Sequence, residues 1–294
     1  MEIKKYLNDK KEAVDSFLHA YFKEQRHPNL LHEAMIYSLF AGGKRIRPVL
    51  AIASYEACGG TSDEIVPYAS ALEMIHTYSL IHDDLPSMDN DDLRRGKPTN
   101  HKVYGEAIAI LAGDALLTDA FSLLSDTTFC QTIKETDLVK TLHEISIASG
   151  SIGMVAGQAQ DILSENSSPD KDMLQFIHSH KTKALICSSV KLGCILSGKP
   201  EKLEAISSYG EGIGLAFQVV DDILNIEGDT KEMGKTAGSD AKTNKMTYPA
   251  LYGVERSKQI SRQLIADAVD SLTAFSKEAD PLREIALYLL NRRN

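Results

Sequence analysis

Five aspartates, Asp83, Asp84, Asp89, Asp91 and Asp92, crowd the stretch from Asp83 to Gly96, which also holds Arg94 and Arg95. An apolar run with helical spacing leads into them, and His76, seven residues before Asp83, falls on the same helix face. Pro86 denies a donor to the carbonyl of His82, so the helix must distort there. Asp83, Asp84 and Asp89 are then left around the mouth of a cavity at a helix C-terminus, where the peptide dipole already places negative charge. Such crowding is unfavourable without a counter-ion. Oxygen-only ligands select a hard cation, and carboxylates shared with a phosphate select Mg²⁺. The plainer alternative is a solvated acidic loop paired with Arg94 and Arg95.

A second pair, Asp221 and Asp222, closes another apolar helical run in FQVVDDILN, with Asn225 four residues after Asp221 on the same face. Two such pairs, 138 residues apart, can face each other across a bundle and hold several metal ions around one polyanion. Basic residues stand beside both pairs. They are Lys44 and Arg47 in GGKRIRP, Arg94 and Arg95, Lys181 with Thr182 in HSHKTKA, and Lys235 and Lys245 after the second pair. In a chain of net charge −9, that placement suits a diphosphate. GGKR is not a P-loop, because the glycine spacing and the following Ser/Thr are missing.

The elements that must position these residues read as helices. Apolar residues recur at helical spacing almost throughout, and no period-two strand stands out. The spacing predicts helices near 5–24, 29–40, 47–58, 62–84, 106–125, 133–158, 171–197, 201–226, 247–252, 257–275 and 281–291. Breaks fall at Gly42-Gly43, Gly59-Gly60, SENSSPD (164–170), Gly198 with Pro200, and the Gly/Lys/Thr-rich 228–245, while Asp63 and Asp170 are placed to cap helix starts. The expected fold is all-α, a single large helical bundle over residues 1–294 around a deep central cavity. Helices near 107–117 and 184–197 are apolar on most faces, which calls for a central position or a dimer interface.

Composition excludes other classes. At 43% hydrophobic and 25% charged the chain is ordinary for a globular protein, and its acidic balance argues against nucleic-acid binding. Cys58, Cys130, Cys187 and Cys194 form no CxxC pattern, which points to free thiols in a reducing cytoplasm. No apolar signal core opens the chain, and no uninterrupted apolar run reaches the ~20 residues of a membrane span. A cytosolic protein without a transmembrane segment is expected.

From about Leu30 onward the chain resembles the trans-isoprenyl diphosphate synthases, most closely the bacterial-type farnesyl diphosphate synthases. The resemblance rests on GGKRIRP, MIHTYSLIHDDLPSMDNDDLRRGKPTNH, GMVAGQAQD, HKTKAL, FQVVDDILN and GKTAGSDAKTNKMTYPAL, in that order. It implies a homodimeric, Mg²⁺-dependent enzyme joining isopentenyl diphosphate to an allylic diphosphate, with three ions in the active site. By the same resemblance Asp83 and Asp89, supported by Asp84, ligate two ions, and Asp221, supported by Asp222, a third. Arg94, Lys181 and Lys235 match the allylic diphosphate site; Gly43, Lys44, Arg47, His76 and Arg95 match the isopentenyl diphosphate site, with Lys245 a further substrate contact. Lys181, Thr182 and Gln218 are the implied catalytic set, the oxygens of Thr182 and Gln218 lying near the carbon that becomes cationic. Gln158 and Asp161 are expected to face the cavity, and 228–245, with the Arg292-Arg293 tail, to close over it.

Chain length is the finer question. Tyr78 and Ser79 stand five and four residues before Asp83, where in the family a bulky side chain stops the growing prenyl tail, so Tyr78 implies a C15 product. A geranylgeranyl (C20) synthase of the same chemistry is the alternative. A class I terpene cyclase fits less well, since it needs no second diphosphate site and its second motif carries Ser/Thr and Glu where Asn225 and Asp229 stand here. A silent partner subunit would have eroded acidic motifs. The family usually has Asp at position 225; Asn keeps an oxygen ligand and loses a charge.

Overall fold

The computed structural model describes residues 2–165, 170–227 and 246–292. Fourteen α-helices carry almost all of it: α1 (Ile3–Tyr21), α2 (Asn29–Leu39), α3 (Ile46–Ala57), α4 (Ile65–Asp83), α5 (Asn100–Tyr104), α6 (Glu106–Leu124), α7 (Glu135–Ser149), α8 (Met154–Leu163), α9 (Lys171–His178), α10 (Ala184–Leu196), α11 (Leu203–Glu227), α12 (Tyr248–Tyr252), α13 (Val254–Asp270) and α14 (Asp280–Asn291). The all-α expectation holds. One two-residue antiparallel pair, β1 (Leu93–Arg94) with β2 (Lys97–Pro98), was not foreseen, being too short to show a period of two.

α4 is apolar on every side. Tyr68, Ala69, Ala71, Leu72, Met74, Ile75 and Ile81 are buried around its whole circumference, which an amphipathic surface helix cannot do. It therefore lies centrally, against α3, α6 and α10. α11 buries Ile206, Tyr209, Ile213, Ala216, Val220 and Ile223, an i, i+3, i+4 stripe seated on α10 and α13. α4 ends at the first aspartate pair and α11 carries the second inside its C-terminal part, before its end at Glu227, so the core that buries their apolar faces also sets where the carboxylates emerge.

Several boundaries depart from the sequence expectation, among them the helix expected over 257–275, which runs Val254–Asp270, and α5, which was not expected. The helix expected over 133–158 is broken between Ser149 and Met154, where a Cβ on Gly153 would lie 2.2 Å from the Ala148 carbonyl oxygen. The run expected over 171–197 contains a π-helical turn at Ser179–Lys183 between α9 and α10. Asp170 does cap α9, accepting from the Met173 N–H, but Asp63 supplies no side-chain cap to α4. Instead Glu64 accepts from the backbone N–H groups of Gln131, Thr132 and Ile133, tying the start of α4 to the α6–α7 connection.

α6 corrects the expectation that no segment could span a membrane. By length and composition Glu106–Leu124 is long and apolar enough, with mean hydropathy 1.7. The uninterrupted-run test missed it because Asp114 and Asp119 break the run. The helix lies along α4 and α2, with 39% of the stretch buried, and leaves Ile110 and Leu111 about half exposed.

Candidate functional site

A cavity of about 640 Å³ opens between the C-terminal ends of α4 and α11, walled by α8, α9 and the π-turn. Asp83, Asp89, Asp221 and Asp222 line it together with Arg47, His76, Arg94, Arg95, Lys181, Thr182 and Gln218. Residues of both aspartate motifs and most of the expected cations thus meet in one space. Lys235 and Lys245, with the expected lid 228–245, lie outside the described residues, as does Arg293.

The adjacent aspartates of each pair differ in role because consecutive helical residues point about 100° apart. Asp83 faces the cavity. Burial, then the neighbouring Asp89 and Asp84, raises its carboxyl pKa, against Lys181 and Arg94, which lower it. Asp84 is buried and takes both Nε and Nη2 of Arg94, so it orients that guanidinium from behind the wall. Asp221 and Asp222 both line the cavity, but Asp221 is partly exposed whereas Asp222 is buried among protein donors. Gln218 Nε2 donates to Asp222 Oδ1 at 2.9 Å, the Tyr248 N–H donates to Oδ2 at 2.9 Å, and His178 Nε2 stands 3.7 Å from Oδ2. Thr182 Oγ1 donates to Gln218 Oε1 at 2.7 Å, completing a chain Thr182–Gln218–Asp222 that fixes the first two side chains in the wall. Asp91 and Asp92 sit apart from the cavity, near Arg94 at 3.5 Å and Lys102 at 2.7 Å respectively.

No three acidic, histidine or cysteine side chains converge on one point among the described residues, so there is no closed protein cage for a metal. The donor set nonetheless fits Mg²⁺, which keeps several waters and binds through one or two carboxylates plus substrate phosphates. Asp83, Asp89 and Asp221 offer oxygen alone, on opposite sides of one cavity.

The basic side is built on strained backbone. Gly42 (φ 106°), Gly43 (φ 120°) and Arg45 (φ 54°) lie in the left-handed region before α3, and Arg95 (φ 54°) does so in the β1–β2 turn. Arg95 donates through Nη1 to the Gly42 carbonyl, and a Cβ on Gly43 would lie 2.7 Å from its guanidinium. Only glycine lets the two loops close. Burial lowers the pKa of Arg47 to about 10, and its Nε is buried without a hydrogen-bond partner among the described residues, a cation held ready for an anion. Burial, with Arg47, Arg95, Arg94 and Arg45 around it, pushes the His76 pKa well below the usual value, so the ring is neutral and one nitrogen can donate. Lys44 does not line the cavity; its pKa is lowered by burial and by Arg292, against Asp221.

Lys181 lines the cavity from the π-turn and donates to Asp161 Oδ2 at 2.6 Å. α8 comes this close because Gly157 has no side chain: a Cβ there would meet the Lys181 backbone nitrogen at 2.1 Å. Gln158, also in the wall, has both amide atoms buried without a partner among the described residues. Tyr78 is buried, lines the cavity beside Ser79, and sets its ring edge-on to His82 at 5.7 Å.

Arg45, Glu73 and the tail contact of Arg292 on Asp221 were not read from the sequence. Arg45 is hidden among the cations of GGKRIRP, and Glu73 is recognisable only as the acid one turn before His76.

The polyprenyl synthetase family profile matches residues 28–285. The large subunit 1 of a chloroplastic heterodimeric geranylgeranyl pyrophosphate synthase of Arabidopsis thaliana is 49% identical, covering 92% of this chain and 74% of that protein. A geranylgeranyl diphosphate synthase of Cyanophora paradoxa is 45% identical, covering 98% and 96%. Among solved structures, an FPP/GFPP synthase from Zymomonas mobilis superposes with a TM-score of 0.85 at 35% identity, covering 98% of both chains.

Proposed function

The chain belongs to the polyprenyl synthetase family, the trans-isoprenyl diphosphate synthases, and we propose that it adds isopentenyl diphosphate to allylic diphosphates with Mg²⁺, up to geranylgeranyl diphosphate. The convergence of Asp83, Asp89 and Asp221 with Arg47, His76, Arg94, Arg95 and Lys181 in one cavity carries the chemistry. The C20 product is supported by the relatives named geranylgeranyl synthases at 45–49% identity. A second reading, a C15 product, is favoured by the buried Tyr78 in the cavity wall and by the farnesyl activity in the name of the Zymomonas protein.

Bound Mg²⁺ would take up charge on the departing diphosphate, held by Asp83 and Asp89 on one side and Asp221 on the other. Lys181 and Arg94 face the same leaving group, and Asp84 keeps Arg94 aimed at it. Arg47, Arg95 and neutral His76 hold the second diphosphate and so orient the attacking double bond. As the C–O bond ionises, the oxygens of Thr182 and Gln218, locked by Asp222, stabilise the allylic cation; the double bond then attacks it, and the cation so formed loses a proton to the released diphosphate. Met88, Met154, Ile162 and Phe217 line the same space and exclude water from that cation. We further propose a homodimer, with the exposed Ile110 and Leu111 of α6 in its interface; a heterodimer is the alternative that one relative's name raises.

The test is product analysis. Purified protein is incubated with isopentenyl diphosphate and dimethylallyl, geranyl or farnesyl diphosphate, with Mg²⁺ or chelator, and the dephosphorylated alcohols are sized. Geranylgeraniol is expected; farnesol as the end product establishes the second reading, and no elongation from any starter overturns both.

A further inference from the structure

Arg45 lies between the two substrate cations Lys44 and Arg47, yet it does not line the cavity. It is buried, and its guanidinium is shared among three helices. Nε donates to Asp15 Oδ1 of α1 at 2.7 Å, Nη1 to Glu73 Oε1 of α4 at 2.8 Å, and Nη2 to the Leu39 carbonyl of α2 at 2.7 Å. Its own backbone is left-handed, as are Gly42 and Gly43 before it, a conformation non-glycine residues adopt only when their surroundings enforce it. The guanidinium is that enforcement. Glu73 is already engaged by the field of Arg47 and Arg95 as well as by Arg45. Asp15 is the second carboxylate, and it reaches Arg45 from a helix that lies before residue 28, where the family match begins. Burial raises the Asp15 pKa, but hydrogen bonds from Arg45 and Lys11 outweigh this and hold it below the usual range, so it is charged at neutral pH.

We propose that Asp15 is a positioning residue for the isopentenyl diphosphate site. By holding Arg45 it fixes the Gly42–Arg47 backbone, and with it Lys44, Arg47 and, through the Gly42 carbonyl, Arg95. The N-terminal helix is thereby a working part of substrate binding. On the allylic side of the cavity, Lys181 donates to Asp161 and Arg94 to Asp84, acceptors separate from the Asp15–Arg45–Glu73 tether. The inference rests on the substrate reading above.

Asp15→Ala and Arg45→Lys are compared with Lys11→Ala, which removes the 3.1 Å surface partner of Asp15 and leaves Arg45 untouched. Steady-state kinetics give KM for each substrate, calorimetry gives isopentenyl diphosphate binding in the absence of a starter, and melting curves report folding. Asp15→Ala should raise KM and Kd for isopentenyl diphosphate about tenfold, the size of one lost charge-assisted hydrogen bond, with KM for geranyl diphosphate within about twofold. Arg45→Lys should show the same asymmetry, since one amine cannot span three acceptors, and Lys11→Ala should match the parent. Equal rises in both KM values, a fall in kcat alone, or unchanged isopentenyl diphosphate binding in both variants overturns the positioning role. No isopentenyl diphosphate binding by the parent protein overturns the substrate assignment itself, and the inference with it.

Discussion

Arg292, just past the end of α14, lays its guanidinium on Asp221 of the second aspartate motif. It donates through Nη2 to Asp221 Oδ1 and to the Phe217 carbonyl at 2.9 Å, and its guanidinium carbon stands 3.9 Å over the Phe217 ring. A cation from the chain's own tail thus occupies the carboxylate assigned to Mg²⁺. Metal binding at Asp221 must displace it. With Asp221 44% exposed, the contact is worth about 0.5–1 kcal/mol. Arg292→Ala should therefore lower the Mg²⁺ concentration for half-maximal activity about two- to fivefold, and a metal titration checks it. An unchanged or raised requirement would show that the tail does not compete with the ion.

Tyr78 is the second test. Its ring lines the cavity beside Ser79, and truncation to alanine empties the space of one aromatic ring, comparable to a five-carbon isoprene unit. Tyr78→Ala should lengthen the principal product by at least one unit relative to the parent, whether the parent stops at C15 or C20, with the initial condensation rate within about threefold. Chromatography of the dephosphorylated alcohols reads the outcome. An identical product profile would remove Tyr78 as the stop and move the limit to another wall.

Much of the chemistry was legible because it is local in sequence. The aspartate pairs, GGKRIRP and HKTKAL each keep their residues within one or two helical turns, so spacing and charge sufficed to find them. Which member of a pair is available to a metal and which is held by protein donors was not legible from spacing alone, and only the family resemblance assigned it. Asp84 and Asp222 carry the same chemistry as Asp83 and Asp221, and only the packing of α4 and α11 turns them toward Arg94 and toward Gln218 and the Tyr248 amide. The π-turn that presents Lys181 escaped notice for a related reason: one added residue per turn leaves no mark on apolar spacing. The ion pairs of Arg45 and Arg292 join residues 28 to 71 positions apart, a separation that pattern reading does not bridge.

Gly43 should be irreplaceable for binding while dispensable for folding. Its φ of 120° excludes side chains, and an added Cβ would sit 2.7 Å from the Arg95 guanidinium, the free end of a flexible side chain that can swing aside. Gly43→Ala should cost about 1–3 kcal/mol of stability from backbone strain and leave the helical spectrum intact. Displacement of Arg95 should raise KM for isopentenyl diphosphate by ten- to a hundredfold, about 1.4–2.8 kcal/mol, with a smaller effect on the allylic substrate. Parallel melting curves and substrate-saturation curves test this, and a variant with parental affinity for isopentenyl diphosphate would remove Arg95 from that site.

The last prediction concerns acid. Burial pushes the Glu64 carboxyl up, but the N–H groups of Thr132, Gln131 and Ile133 and the Ser62 hydroxyl outweigh that, bringing it from 4.5 to about 2. A carboxyl with a depressed folded pKa contributes stability that is fully present above its unfolded value. That contribution fades as pH falls from about 4.5 toward about 2. Glu64→Gln removes the charge and sets an NH₂ group against backbone donors, costing about 1–3 kcal/mol at pH 7. The gap between parent and variant in chemical denaturation should therefore be large at pH 7 and progressively smaller on acidification below pH 4.5. The difference isolates Glu64 from every other group that titrates in both proteins. A gap of constant size across that window would mean that Glu64 holds the 131–133 loop through shape alone, without its charge.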